Sequence, residues 1–370
     1  MRYEDPNKPG PIYTNVAFPY HLAHDKRMVG LEIRNTNYKA HAEGSDRSNG
    51  VWHSNLPAKL DRIVMVESAL DALSFQELRK SENTLFVSYG GNLTINQIQT
   101  IKELKAKSNT DENFQYVTAN DNDKKGAYYD FMFIRELAAK KFPSQRLANP
   151  KNSIKLAFAS LNAPNPGAIA PSSVMGMADK LMHELKPYNI QIDDDIKKEG
   201  LSNLVKNELE KDKIKFKAEG NQFLVEIPTS YYAMHQFNKA LILATGLEQQ
   251  IKIEKAVLND FNEDLKLLKA VNKNPDLLAD INIKKLQKEP EQKLEYSDLK
   301  NLILQPGQYE QFQKLFHLSK ANEESQEVLK KENRDILLIK KEFNEGLNVD
   351  NQPYKQANFK EITHQVRPKF

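Results

Sequence analysis

IVMVESALDALSF (63–75), TLFVSYGGNLT (84–94) and YVTANDNDKKGAYYDF (116–131) repeat one pattern. Each opens on a short apolar run, passes through acids, Gly or Asn, and enters a helical periodicity. That is the pattern of a strand followed by a helix. Ile63–Val66, Leu85–Val87 and Tyr116–Ala119 carry no charge and are apolar but for Thr118, as parallel strands covered on both faces are. The acids fall at one kind of place. Glu67 directly follows the first strand, and Asp121 and Asp123 directly follow the third.

In an open parallel sheet, ligands bind outside the carboxyl ends of the strands. Three carboxylates gathered there repel one another unless a cation lies between them. Hard oxygen donors and a chain without cysteine favour Mg²⁺, with Mn²⁺ as the alternative. Taken singly, an acid after a strand is better explained as a helix N-cap. The argument for a site is that both clusters fall on one edge of one sheet.

E-S-x-x-D-A after the first strand, Gly-Gly after the second and D-x-D-x-x-G after the third resemble the Toprim domain. Bacterial primases, topoisomerases, OLD-type nucleases and RecR-like recombination proteins share that domain. The matching residues are Glu67, Asp71, Gly90, Gly91, Asp121, Asp123 and Gly126. VESALDALSF (66–75) is similar to primase-like Toprim proteins of plasmids and mobile elements. VGLEIRNTNYKAHAEGSDRSNGVW (29–52) and DFNEDL (260–265) extend the likeness. The resemblance implies a Mg²⁺-dependent protein acting on nucleic acid, DNA first, with nucleotides as further ligands. Glu67, Asp121 and Asp123 would be catalytic and hold the metal; Asp71, Gly90, Gly91 and Gly126 would support the bound group. Primase-like nucleotidyl transfer, a Toprim nuclease and a non-catalytic binding protein all remain open.

The expected fold is α/β, a Toprim-like parallel sheet flanked by helices. A β-rich N-terminal lobe (1–60) precedes it, with strands at Ile12–Phe18, Val29–Ile33 and Tyr38–His41 after a flexible arm over 1–11. Arg34, Lys39, Arg47 and Trp52 lie in this lobe, where cations over an acidic edge would suit a phosphate-bearing substrate. Thr94-Ile-Asn-Gln97 predicts a capping box, and Ala127, Phe131, Ile134 and Ala138 an amphipathic helix. The fourth sheet strand is expected at Ile251–Leu258, just before DFNEDL. The sheet domain thus covers 61–149 and 251–270, and 150–250 is an inserted α+β lobe, a candidate surface for a protein partner. Within it a hairpin turns at Gly220-Asn221, and a helix stops at Thr245-Gly246. A helical region with a flexible tail is expected over 271–370.

Among 370 residues the net charge is +3 and there is no cysteine, so disulfides and cysteine-based zinc sites are excluded. Nucleic acid would have to be met by local basic patches. Mean hydropathy is −0.66 and no apolar run is long enough to span a bilayer, so no membrane partner is expected. MRYEDPNKPG lacks a secretory apolar core, and a cytoplasmic location is expected. There is no P-loop, G-x-S-x-G elbow or H-E-x-x-H pattern.

Overall fold

The computed structural model describes residues 2–3 and 13–273, apart from 24, 36–37, 140, 142–143, 147–152, 159–170, 198–202 and 220–221. The C-terminal expectations beyond residue 273 lie outside the described residues. In chain order, β1 (Arg2–Tyr3) pairs antiparallel with β2 (Tyr13–Thr14), so the first residues are tied back at that point. β3 (Val16–Leu22), β4 (Asp25–Asn35) and β5 (Tyr38–His41) form an antiparallel sheet, and β6 (Trp52–His53) leads into the main sheet.

The main sheet is built by β7 (Leu60–Val66), α1 (Ala69–Arg79), β8 (Thr84–Ser88), α2 (Ile95–Ala106), β9 (Thr110–Thr118) and α3 (Lys124–Ala138). A second sheet follows, from β10 (Ser144–Arg146), β11 (Ser153–Phe158), β12 (Lys215–Glu219) and β13 (Gln222–Pro228). Its helices are α4 (Pro171–Lys197), α5 (Asn203–Lys211) and α6 (Tyr231–Thr245). The chain then returns through β14 (Ile251–Ile253) and α7 (Phe261–Lys273).

Main-sheet order is β14–β9–β7–β8–β6, parallel except for β6 at one edge. The three sequence-predicted strands are therefore parallel neighbours in an α/β sheet. Ile63 and Met65 face one apolar cluster with Ile98, Phe131 and Phe133, while Val64 and Val66 face another with Phe75, Val117 and Phe261. That alternation is the two-residue period of a strand with both faces covered.

The fourth strand is shorter than Ile251–Leu258. After Ile253 the chain leaves the ladder, because Lys255 turns inward to a buried acid and Asp264 takes the amides of Val257 and Leu258, each at 2.7 Å. Thr94 and Gln97 form the expected capping box, with Gln97 N donating to Thr94 Oγ1 at 3.1 Å and Thr94 N to Gln97 Oε1 at 3.0 Å. Gly246 takes the left-handed conformation that stops α6, at φ +60°. Glu219 faces Gln222 across the hairpin, in the expected register. The second sheet begins earlier than residue 150, since β10 already pairs with β11.

Candidate functional site: the carboxyl edge of the main sheet

Parallel β7, β8 and β9 end on one edge, and the residues following them meet there. Glu67 follows β7 and is 7% exposed. Its Oε1 is shielded from solvent and has no hydrogen-bond partner, while Oε2 lies 3.8 Å from Lys125 Nζ. Burial, then the charge of Asp123, pushes its carboxyl up to about 7 against the opposite pull of Lys125 and Lys255. Asp121 is pushed further, to about 9, by burial and then by Glu67, Asp71, Asp260 and Asp123. These carboxylates therefore feel one another's charge, as opposed to standing as isolated caps.

Asp123 does cap α3: its Oδ1 accepts from Gly126 N at 2.8 Å. The capping and the proximity to Glu67 coexist in one residue. Asp71 has a local role as well. It completes a capping box with Ser68, its Oδ2 accepting from Ser68 N at 3.2 Å and from Ser68 Oγ at 2.6 Å. Burial and Asp260 push the Asp71 carboxyl up to about 7. Among the described residues no group of three His, Cys, Asp or Glu side chains is arranged as a ready metal cage. The donors at hand are nonetheless all carboxylates, and one buried oxygen lacks a partner. Mg²⁺ suits such a set, since it keeps several waters and takes one or two carboxylates together with phosphate oxygens.

The three glycines have separate physical reasons. A Cβ on Gly126 would stand 2.0 Å from the backbone oxygen of Asp121, so only glycine lets α3 start this close to the strand end. Gly90 has φ +74°, and its Cβ would meet Tyr20 Oη at 2.5 Å. Gly91 has φ +95°, and over it only Lys39 Nζ comes near, 3.8 Å from where a Cβ would stand.

Beneath the carboxylates lies a polar network that sequence reading missed. Lys255 Nζ pairs with Asp130 Oδ2 at 2.8 Å and donates to the backbone oxygens of Asn120 and Asp121, each at 3.1 Å. Asn120 Nδ2 donates to Asp130 Oδ1 at 2.8 Å, and Tyr89 Oη donates to Asn120 Oδ1 at 2.6 Å. Burial, then Glu67 and Asp121, holds the Tyr89 phenol well above its ordinary value, so it remains a donor. Asp130 had a signal: it is an acid inside the apolar stripe of α3, three residues after Ala127 and four before Ile134.

The N-terminal lobe packs against this edge. Tyr20 Oη donates to the fully buried Glu32 at 2.9 Å, and Arg34 pairs with the same carboxylate. Arg34 also lowers the Asp71 carboxyl, so its charge reaches the start of α1. Trp52 pairs with Ser88 at the sheet edge and packs edge-on against Phe18, centroids 5.7 Å apart.

The family described as Toprim-like matches residues 64–153, from the middle of β7 to the start of β11. This stretch contains Glu67, Asp71, Gly90, Gly91, Asp121, Asp123 and Gly126, and the chain carries a Toprim-like α/β domain. The match ends before the fourth parallel strand, β14. No curated protein and no solved structure matches the chain.

Proposed function

We propose that this chain is a divalent-metal-dependent enzyme acting on nucleic-acid phosphates, with primase-like nucleotidyl transfer for a mobile element as its reaction. The observation that carries this reading is the mutual loading of Glu67 and Asp121, raised to about 7 and about 9, beside a Toprim-like motif. Glu67 and Asp121 would hold the ion, with the second oxygen of Asp123 completing the set. When bound, Mg²⁺ or Mn²⁺ would offset phosphate charge and polarise a phosphoryl oxygen. Glu67 would be ionised when it holds the ion, so its raised value in the metal-free protein reflects the charge crowding that a cation relieves. Lys255 and Asn120 hold the end of β9 in place beneath Asp121, and Gly126 lets the first turn of α3 close over it. The primase-like assignment rests on VESALDALSF and its flanking segments.

A nuclease would use the same carboxylates with water in place of a 3′-hydroxyl. Purified protein incubated with Mg²⁺ or Mn²⁺, labelled nucleotides and a single-stranded DNA template separates the readings. Extended products that vanish in Glu67→Gln support nucleotidyl transfer. Shortened template assigns a nuclease. Binding with neither product removes the enzymatic reading and leaves a binding module.

A further inference from the structure

The turn after β8 carries groups that the carboxylates do not use. Gly91 O is fixed toward α3, where Lys125 Nζ and Tyr129 Oη donate to it, the latter at 2.8 Å. Tyr129 Oη also reaches Asn92 Oδ1 at 3.1 Å. Because the peptide is planar and trans, fixing that carbonyl turns the Asn92 N–H the opposite way. Among the described residues nothing accepts from the N–H of Gly91 or of Asn92. Asn92 is exposed and Gly91 partly exposed. Over Gly91 only Lys39 Nζ comes near, 3.8 Å from where a Cβ would stand. Lys39 is exposed on β5 and makes no ion pair among the described residues. His41 lies against Gly90. Its pKa is lowered by burial and then by Arg47, against the opposite pull of Glu32, with Lys39 and Arg34 adding to the lowering.

We propose that the Gly90–Asn92 turn, with Lys39 beside it, is a subsite for a phosphoryl group of a nucleic acid or nucleotide. Consecutive free amides in a positive-φ turn make an anion-binding concavity. Lys39 supplies compact positive charge there. Lys125 Nζ donates to Gly91 O and lies 3.8 Å from Glu67 Oε2, so the turn itself is tied to the carboxylate edge. The lack of a side chain at Gly91 leaves Lys39 as its only near neighbour, and its positive φ is what presents the amides. The subsite deepens the reading of this edge as phosphate-handling and rests on it.

The test is fluorescence anisotropy of a labelled single-stranded deoxyoligonucleotide in EDTA over a salt titration, with a nucleoside triphosphate as competitor. Lys39→Gln should weaken binding roughly three- to tenfold and lower the salt slope by about 0.7, as loss of one phosphate contact on a single strand does. Lys59→Gln is the control: it removes the same charge at the opposite sheet edge, where Lys59 pairs with Asp111. It should leave affinity and slope unchanged. Competition by the triphosphate that disappears in Lys39→Gln supports the subsite with a mononucleotide as ligand. A Lys39-dependent signal from the polymer alone supports it with a backbone phosphate. Equal behaviour of Lys39→Gln and Lys59→Gln, or no binding of either probe, overturns it. The metal reading is scored separately, by the Mg²⁺ response of wild type against Glu67→Gln. Lack of a metal response with intact Lys39 dependence sinks that reading and leaves the subsite standing.

Discussion

At Asp121 the charge that would serve a cation is a cost to the metal-free protein. Its folded pKa is about 9 and that of Glu67 about 7, against about 4 in an unfolded chain. A carboxyl raised on folding contributes stability that is fully present below the unfolded pKa and lost as pH rises through the folded one. In EDTA the melting temperature should therefore fall between about pH 4 and pH 9. Asp121→Asn should flatten that fall and raise the melting temperature at pH 8 by about 2–4 °C, the shift produced by roughly 1 kcal/mol. Mg²⁺ should stabilise wild type more at pH 8 than at pH 6, and the variant less at both. A variant that melts below wild type at pH 8 with an unchanged slope would show Asp121 to be a structural partner only. Glu67, Asp121 and Asp123 were legible in the sequence because each follows a strand end. Lys255 was not: it lies 134 residues from its partner Asp121, and no local spacing encodes that contact.

Among the elements, α3 sets the site because of how closely it begins. Gly126→Ala places a methyl 2.0 Å from the Asp121 oxygen. The first turn must then move, with loss of the Asp123 cap. The expected outcome is a destabilisation above about 2 kcal/mol together with a lost Mg²⁺ response, read by urea titration with and without metal. Full stability with full metal response would mean that the turn gives way freely. The element after β14 makes a second case. Lys255→Met leaves Asp130, which has no exposure, without its cation. Breaking such a pair from one side typically costs about 3–5 kcal/mol, whereas neutralising both sides is far milder. Denaturant midpoints should thus drop sharply in Lys255→Met and recover most of the loss in Lys255→Met with Asp130→Asn. A double variant no better than the single one would count against the pair. The run Ile251–Leu258 reads as one strand from its apolar residues, yet only Ile251–Ile253 pairs. Local pattern could not reveal that Lys255 and Asp264 draw the rest of the run off the ladder.

Over the whole molecule, the strands and helices between α3 and β14 were legible, but not how they sit. Its α6 lies directly on α3. Phe237 packs edge-on against Phe131 with centroids 6.0 Å apart, and Asn238 Nδ2 donates to Ala127 O at 2.9 Å in a buried contact. Leu156, Val225 and Leu241 belong to the same apolar cluster as Ile63, Met65 and Ile134. Amphipathic stripes on α3 and α6 each announce a buried face, but neither stripe names the surface that covers it. One continuous core predicts one cooperative unit. Calorimetry of the full chain should give a single transition for the main sheet and the second sheet together. Replacing 147–249 with a short linker should remove that transition, because it strips α6 from Ala127, Phe131 and Ile134, all 0–1% exposed. Covering the bared face with charge offers the matching control. Phe131→Lys in the shortened chain should restore solubility without restoring a cooperative melt, since the sheet beneath would still lack its cover. Two separate calorimetric transitions, or a shortened chain that melts cooperatively near the wild-type temperature, would instead make the second sheet an independent lobe.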